Sequence, residues 1–323
     1  MHILITGGAG FIGTNTTERF LPTAEKITIL DNFHRPTSRA NADYLKQLSP
    51  KIEVVEGSVL DEALVAKLVA QVDVVIHLAA QVAVTTSLVN PQEDFEINVR
   101  GTFTVLEAVR KHRPSAVLLY SSTNKVYGDL TQVQFNPAMG IDESTPIDLY
   151  SPYGCSKGAA DLYCLDYARS FGLKTVVFRQ SCIYGEHQYG VEDQGWLAFF
   201  VLQNLRKAPI SIYGTGEQVR DMLQVQDLTK LYQAAVEKID LAQGQVFNVG
   251  GGIKNAISIN QALADIAERV GFATPLTRAE KRLGDQDYFV ADVSKAKKVF
   301  GWEPTIGYKA GLTGLVEWCR QVV

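Results

Sequence analysis

The chain has 323 residues, 46% of them hydrophobic and 20% charged, enough for one large domain or two smaller ones around a sizeable core. Its net charge of −4, with no long basic run, excludes binding of nucleic acid or a membrane surface by bulk electrostatics. No apolar run approaches the roughly 20 residues of a membrane span. Met1 leads straight into a strand-like HILIT with no charged leader or cleavage site, so a cytoplasmic location is expected. The four cysteines, at 155, 164, 182 and 319, show no CxxC spacing; buried free thiols are expected, and no metal site.

Strand-like runs follow in order: HILIT (2–6), KITIL (26–30), IEVVE (52–56), DVVIHL (73–78), AVLLY (116–120) and KTVVF (174–178). Most are continuously apolar, as a parallel strand covered on both faces requires. Helix patterns separate them: GTNTTERFL, DEALVAKLVAQ, DFEINVRGTFTVLEAVRKH and YGCSKGAADLYCLDYARSFG. This β-α alternation predicts an α/β fold with a doubly wound parallel sheet of the Rossmann type. After about residue 180 glycines and turns multiply, although WLAFFVLQNLRK, DLTKLYQAAVEKI and INQALADIAERVG still read as helices. The expected organisation is a dinucleotide-binding part over 1–180 and a smaller α/β substrate region over 181–323, with segments near 220–250 returning to the first.

The strongest local signal is LITGGAGFIG, in which a strand, the triad Gly7, Gly10 and Gly13, and a helix follow one another. Gly7 permits the tight turn, Gly10 lets a pyrophosphate approach, and Gly13 lets the helix pack on the sheet, with Phe11 and Ile12 in the same turn. The second strand ends in Asp31, placed to accept hydrogen bonds from an adenosine ribose. Its charge repels a 2′-phosphate, favouring NAD over NADP, while Arg35 and Arg39 nearby keep NADP open. Leu78, Ala79 and Ala80 are small or apolar residues over which a cofactor can lie, and His77 before them reads as a packed histidine.

Tyr153 and Lys157 in SPYGCSKGAADLY are four residues apart, on one helix face. An ammonium there is expected to lower the phenol pKa, so that Tyr153 takes a hydroxyl proton while hydride leaves the same carbon. Thr123, at the end of a strand, is the candidate to orient that hydroxyl.

TGGAGFIG, Asp31, HLAA, SSTxxVYG and YxxxK together resemble the extended short-chain dehydrogenase/reductase family of nucleotide-sugar enzymes. The resemblance continues through GTGEQVRD (214–221), FNVGGG (247–252) and ADVSKAKKVFGWEP (291–304), nearly the whole chain. It implies bound NAD, a catalytic Thr123, Tyr153 and Lys157, further cofactor contacts from Asn32, Ser58, Val59 and Asn98, and sugar contacts from Gln81, Asn124 and Cys182. Arg220 in QVRD and Arg282 in RLGDQ would hold the diphosphate, as bidentate guanidinium groups suit phosphate oxygens. It also implies a homodimer or homotetramer paired through helices 93–112 and 151–171.

The 4,6-dehydratases of this family carry an Asp-Glu pair directly after the orienting threonine. Here Asn124 and Lys125 stand there, and neither serves as a carboxyl acid or base. The resemblance therefore points to epimerisation, and longer stretches such as SSTNKVYGDL, SPYGCSKGAADLYCLDYARSFGLKTVVFRQS and YGTGEQVRDMLQVQDL resemble the CDP-sugar 2-epimerases. The implied substrate is a CDP-sugar, inverted at C2 through a 2-keto sugar. Inversion at C4 of a UDP-hexose or UDP-uronate, and a non-catalytic dinucleotide sensor, are the competing expectations. Two departures stand out: Ser58 replaces an aspartate that binds adenine in the family, and Cys182 replaces an asparagine that contacts substrate. Lys125 either pairs with a carboxylate or is solvated, and EHQYGVEDQGW (186–196) is a candidate substrate loop.

Overall fold

The six apolar runs form strands β1 (His2–Thr6), β2 (Lys26–Asp31), β3 (Ile52–Glu56), β4 (Val74–His77), β5 (Val117–Thr123) and β6 (Lys174–Gln180). In the computed structural model, which describes residues 1–323, they lie parallel in the order β6-β5-β4-β1-β2-β3. Alternate side chains point to opposite faces of a strand. Ile3 and Ile5 accordingly join Ile27, Ile29, Ile76 and Leu119 in one core. Leu4 joins Leu30, Val75 and Leu118 in another. Both faces of the sheet are thus packed, which is why these strands read as unbroken apolar runs.

The second half is mixed. It supplies β7 (Cys182–Tyr184), β8 (Ile210–Tyr213), β9 (Val219–Gln224), β10 (Gln245–Val249), β11 (Ala256–Ser258), β12 (Leu276–Ala279) and β13 (Tyr288–Phe289). β10 extends the large sheet as a seventh parallel strand beside β6. β7, β9, β11 and β13 form a small sheet of their own, and β8 pairs with β12. A third core packs the helices Trp196–Leu205, Ile259–Val270 and Tyr308–Val322 against this part.

Two expectations need correction. The continuous helix expected over 93–112 is a short α-helix, a π-helical turn at Glu96–Arg100 and an α-helix at Gly101–His112. Of the four free cysteines, Cys164 and Cys319 are buried and Cys182 is half-buried, but Cys155 is exposed on the helix Ser151–Phe171.

The strand order reverses between β1 and β4, and both lead out of the sheet at their carboxyl ends. Such a switch point opens a crevice in which ligands of doubly wound sheets bind.

Candidate active site

At the tip of β1 the chain turns through Gly7 with φ of +65°, where a Cβ would sit 2.7 Å from the backbone nitrogen of Ala79. A Cβ on Gly13 would come within 2.5 Å of the Gly8 Cα, so helix and turn meet in direct backbone contact. Gly10 differs: a Cβ there meets only the Gly7 carbonyl, at 3.1 Å. The surrounding backbone presses less on that position than on Gly7 or Gly13, and Gly10 borders the crevice. The helix Phe11–Phe20 begins at Gly10 with no side-chain cap, leaving amide donors and the positive end of its dipole available to a phosphate.

These glycines, with Phe11, Ile12 and Leu78–Ala80, line a cavity of about 530 Å³. Asp31, Asn32, Ser58 and Val59 form its far end. Asp31 accepts from the backbone N–H of Ala9 (3.1 Å) and Phe33 (2.9 Å), and burial raises its carboxyl pKa. Both arginines that kept NADP open have partners, and Arg35 stays on the lining of this cavity. Arg39 pairs with Glu56 at 2.9 Å and lies over the Phe33 ring, while Arg35 donates to Gln194 at 2.8 Å. The cavity's donors, acceptors and glycine clearance fit NAD. The loop after β7 closes against it: Asn15 donates to the Glu186 carbonyl (2.9 Å) and Asn41 to that of His187 (3.5 Å).

Two residues lie elsewhere than expected. Asn98 does not line the cavity; it is buried, accepting from the Gln81 N–H and donating to Gln81 O, Asp94 and Ser156. Gln81, expected among the sugar contacts, lines this first cavity, its amide nitrogen donating to Ala83 O (2.8 Å) and Asp94 (3.1 Å). His77 is a packed histidine held between Thr6 (2.6 Å) and Thr102 (3.0 Å), with burial pushing it down to about 3.

A second cavity, of about 450 Å³, shares Ser121, Ser122 and Tyr153 with the first. Thr123 lies at the end of β5 and belongs to this second cavity; its hydroxyl accepts from the Lys125 N–H and donates to Asn124, both at 3.3 Å. Burial pushes the Tyr153 phenol up to about 12, while the Thr123 hydroxyl beside it pulls the other way. The Lys157 ammonium donates to the Ser121 carbonyl at 2.6 Å, lies 4.4 Å from the Tyr120 ring centroid, and is pushed down to about 8 by burial. The expected lowering of the phenol is therefore not a property of the protein alone, where desolvation outweighs the Thr123 hydrogen bond.

The second cavity brings Thr123, Asn124, Cys182, Arg220 and Arg282 together. It also holds three carboxylates that the sequence reading did not single out, each facing a cation. Asp285 Oδ1 lies 2.7 Å from Arg220 Nη2 and 3.5 Å from Lys125 Nζ. Arg282 lies 3.5 Å from Asp193 and 3.8 Å from Glu192, over the face of Tyr213. Asn124 donates to the Gln286 side chain at 2.9 Å. Cys182 accepts from Trp196 Nε1 at 3.5 Å; burial raises its pKa, so it is a neutral lining thiol.

The comparisons with known proteins agree with this geometry. Over its full length the chain is 40% identical to CDP-paratose 2-epimerase of Salmonella typhi, with 100% of both chains covered. Among solved structures it resembles the Thermotoga maritima UDP-glucose 4-epimerase with UDP-glucose, at 31% identity and a TM-score of 0.88, covering 100% of this chain and 99% of that one. The UDP-glucuronic acid 4-epimerase of Bacillus cereus, in complex with UDP-glucuronic acid and NAD, superposes with a TM-score of 0.90 at 27% identity, with 100% of both chains covered. The profile of the NAD dependent epimerase/dehydratase family matches residues 3–250, the strand-glycine-helix turn and the Tyr-Lys helix among them, and the chain belongs to that family.

Proposed function

We propose that the chain is an isomerase that inverts C2 of a CDP-linked hexose, of the CDP-paratose to CDP-tyvelose type, through transient oxidation at that carbon with NAD. One observation carries epimerisation over loss of water: no carboxylate lining the sugar cavity is free. Asp285 faces Arg220 and Lys125, and Glu192 and Asp193 face Arg282. Asn124 and Lys125, both lining the cavity, stand where the family resemblance places the acid and base of elimination. The choice of C2 and of cytidine rests on the likeness to the Salmonella typhi relative.

In this reading the turn at Gly7, Gly10 and Gly13 and the uncapped helix N-terminus hold the pyrophosphate of NAD, and Asp31 its adenosine ribose. When bound, NAD supplies a cationic nicotinamide that takes hydride from the sugar carbon and returns it. Thr123 orients the sugar hydroxyl toward Tyr153. The Tyr153 phenolate accepts the hydroxyl proton, keeps it while the 2-keto sugar turns its other face, and gives it back. Lys157, one helical turn from Tyr153, contributes positive charge that favours the phenolate. Residues 1–180, with the returning helix and strand of 225–249, serve the cofactor, and most of 181–323 serves the nucleotide sugar. Two copies pair through Gly101–His112 and Ser151–Phe171, which leave Phe103, Leu162, Tyr163 and Phe171 exposed. No helix is long and apolar enough to cross a membrane, and the working location is the cytoplasm.

The test is incubation of the purified protein with CDP- and UDP-hexoses in deuterated water, following C2 and C4 by NMR. Inversion at C2 of a CDP-sugar, with no deuterium at that carbon, is expected. Inversion at C4 of a UDP-sugar would keep the three catalytic residues and replace the substrate. NAD binding with no turnover of either class, 3,6-dideoxy substrates included, would favour the dinucleotide sensor.

A further inference from the structure

The sugar cavity is electrically lopsided. At its outer end one cation, Arg282, faces two carboxylates, Glu192 and Asp193. At its inner end, beside Thr123, two cations, Lys125 and Arg220, share one carboxylate oxygen of Asp285. The inner end therefore carries the positive excess, and a diphosphate is drawn inward, toward the reaction centre.

The donors left over agree. Lys125 donates one ammonium hydrogen to the Gly284 carbonyl at 3.0 Å, and its ion pair with Asp285, at 3.5 Å, is too long for a strong hydrogen bond. Arg220 uses Nη2 on Asp285 and Gln286 O and one Nη1 hydrogen on Val219 O, which leaves Nε–H and another Nη1 hydrogen. Both side chains are nearly enclosed, Lys125 19% and Arg220 8% exposed, so an anion between them meets cations that water screens little. Arg220 crowds Lys125: burial first, and then that guanidinium, hold the lysine down to about 8. An incoming phosphate relieves that repulsion.

Lys125 is also fixed relative to the chemistry. Its backbone N–H donates to the Thr123 hydroxyl oxygen, and its stem is only four carbons long. A phosphate on its ammonium thus sits within one lysine length of the Thr123 end of the cavity. In a nucleoside diphosphate sugar the nearer phosphorus is three bonds from C2 and five from C4, across the ring. We infer that Lys125 binds the sugar-proximal phosphate and, by anchoring it beside Thr123, selects C2 as the reacting carbon. The selection of C2 rests on the function proposed above; the phosphate contact does not.

The experiment measures binding of CDP and CMP to the NAD-loaded enzyme by calorimetry, for wild type, Lys125→Met and Lys125→Arg. CMP lacks the phosphate in question. Lys125→Met is expected to weaken CDP roughly 10- to 100-fold, the scale of a hydrogen bond to a charged group, and CMP less than about threefold. Lys125→Arg is expected to keep most of the CDP affinity. On CDP-glucose the ratio of C2 to C4 inversion, read by NMR, is expected to fall in Lys125→Met. Equal losses for CDP and CMP, or none, would overturn the phosphate contact. An unchanged ratio of C2 to C4 inversion would overturn the selection. If wild type inverts only C4, the proposed function fails with the selection, and the CDP and CMP comparison still decides the phosphate contact.

Discussion

Burial pushes the phenol of Tyr153 up to about 12 and the ammonium of Lys157 down to about 8, so desolvation works against the charged form of each. Removing the phenol oxygen takes away the proton acceptor and leaves the cavities in shape. Tyr153→Phe is expected to cut kcat by about 10²–10⁴-fold with little change in CDP affinity; near-normal turnover would remove Tyr153 from the mechanism. Lys157 gives a pH signature. Its charge is present below about 8, so kcat/KM is expected to fall as pH rises through that value. Its folded pKa lies below the unfolded value of about 10.4, so between the two the unfolded chain binds more protons. Stability from this group therefore rises with pH across that window, and the penalty of the buried ammonium is full below it. Rate and melting temperature, followed together from pH 7 to 10, are expected to respond to this group in opposite directions. Sequence placed Tyr153 and Lys157 on one helix face, but not the pull of the Ser121 carbonyl on the ammonium. That contact joins residues 36 apart.

Among the elements, the first strand-turn-helix separates folding from binding within one motif. Gly13→Ala would press a Cβ into the Gly8 backbone and is expected to cost about 1–3 kcal/mol of stability, read by denaturant unfolding. Gly10→Ala meets only one carbonyl, at 3.1 Å, and is expected to lower the melting temperature of the NAD-free protein less than Gly13→Ala does, while NAD content falls more. Equal effects from the two would refute the division. Burial on both faces makes composition speak directly, and HILIT matches β1 residue for residue; IEVVE matches β3 as well, though that edge strand is only partly buried. The π-helical turn at Glu96–Arg100 was not legible in the sequence, because its periodicity differs little from an α-helix. The turn carries Asn98, which holds Gln81 from below through both its backbone N–H and carbonyl; composition reported neither partner. The small sheet of β7, β9, β11 and β13 was illegible for a similar reason, its strands being short and gathered from distant parts of the chain.

At the scale of the molecule, a buried carboxylate ties the C-terminal segment to the helix Val225–Glu237. Asp227 is fully buried and accepts from Thr305 N–H (2.8 Å), Thr305 Oγ1 (2.7 Å), Ile306 N–H (2.7 Å) and Lys230 (2.9 Å). Burial alone would raise its pKa, but these donors outweigh it and the carboxyl is held below its usual value. A depressed folded pKa means stability present at neutral pH and lost as pH falls through that value. Asp227→Ala is expected to lose about 1–3 kcal/mol for each buried donor left unpaired, measured by urea unfolding at pH 7. A change below about 0.5 kcal/mol, the scale of an ordinary surface substitution, would refute the clasp. The sequence showed the C-terminal motif but not this partner, some 78 residues away. The loop 186–194 has a wider reach. Asn15, Asn41 and Arg35 hold it on the cofactor side, while Glu192 and Asp193 line the sugar cavity. One segment thus borders both cavities, so a ligand seated in either would lie against the same stretch of backbone.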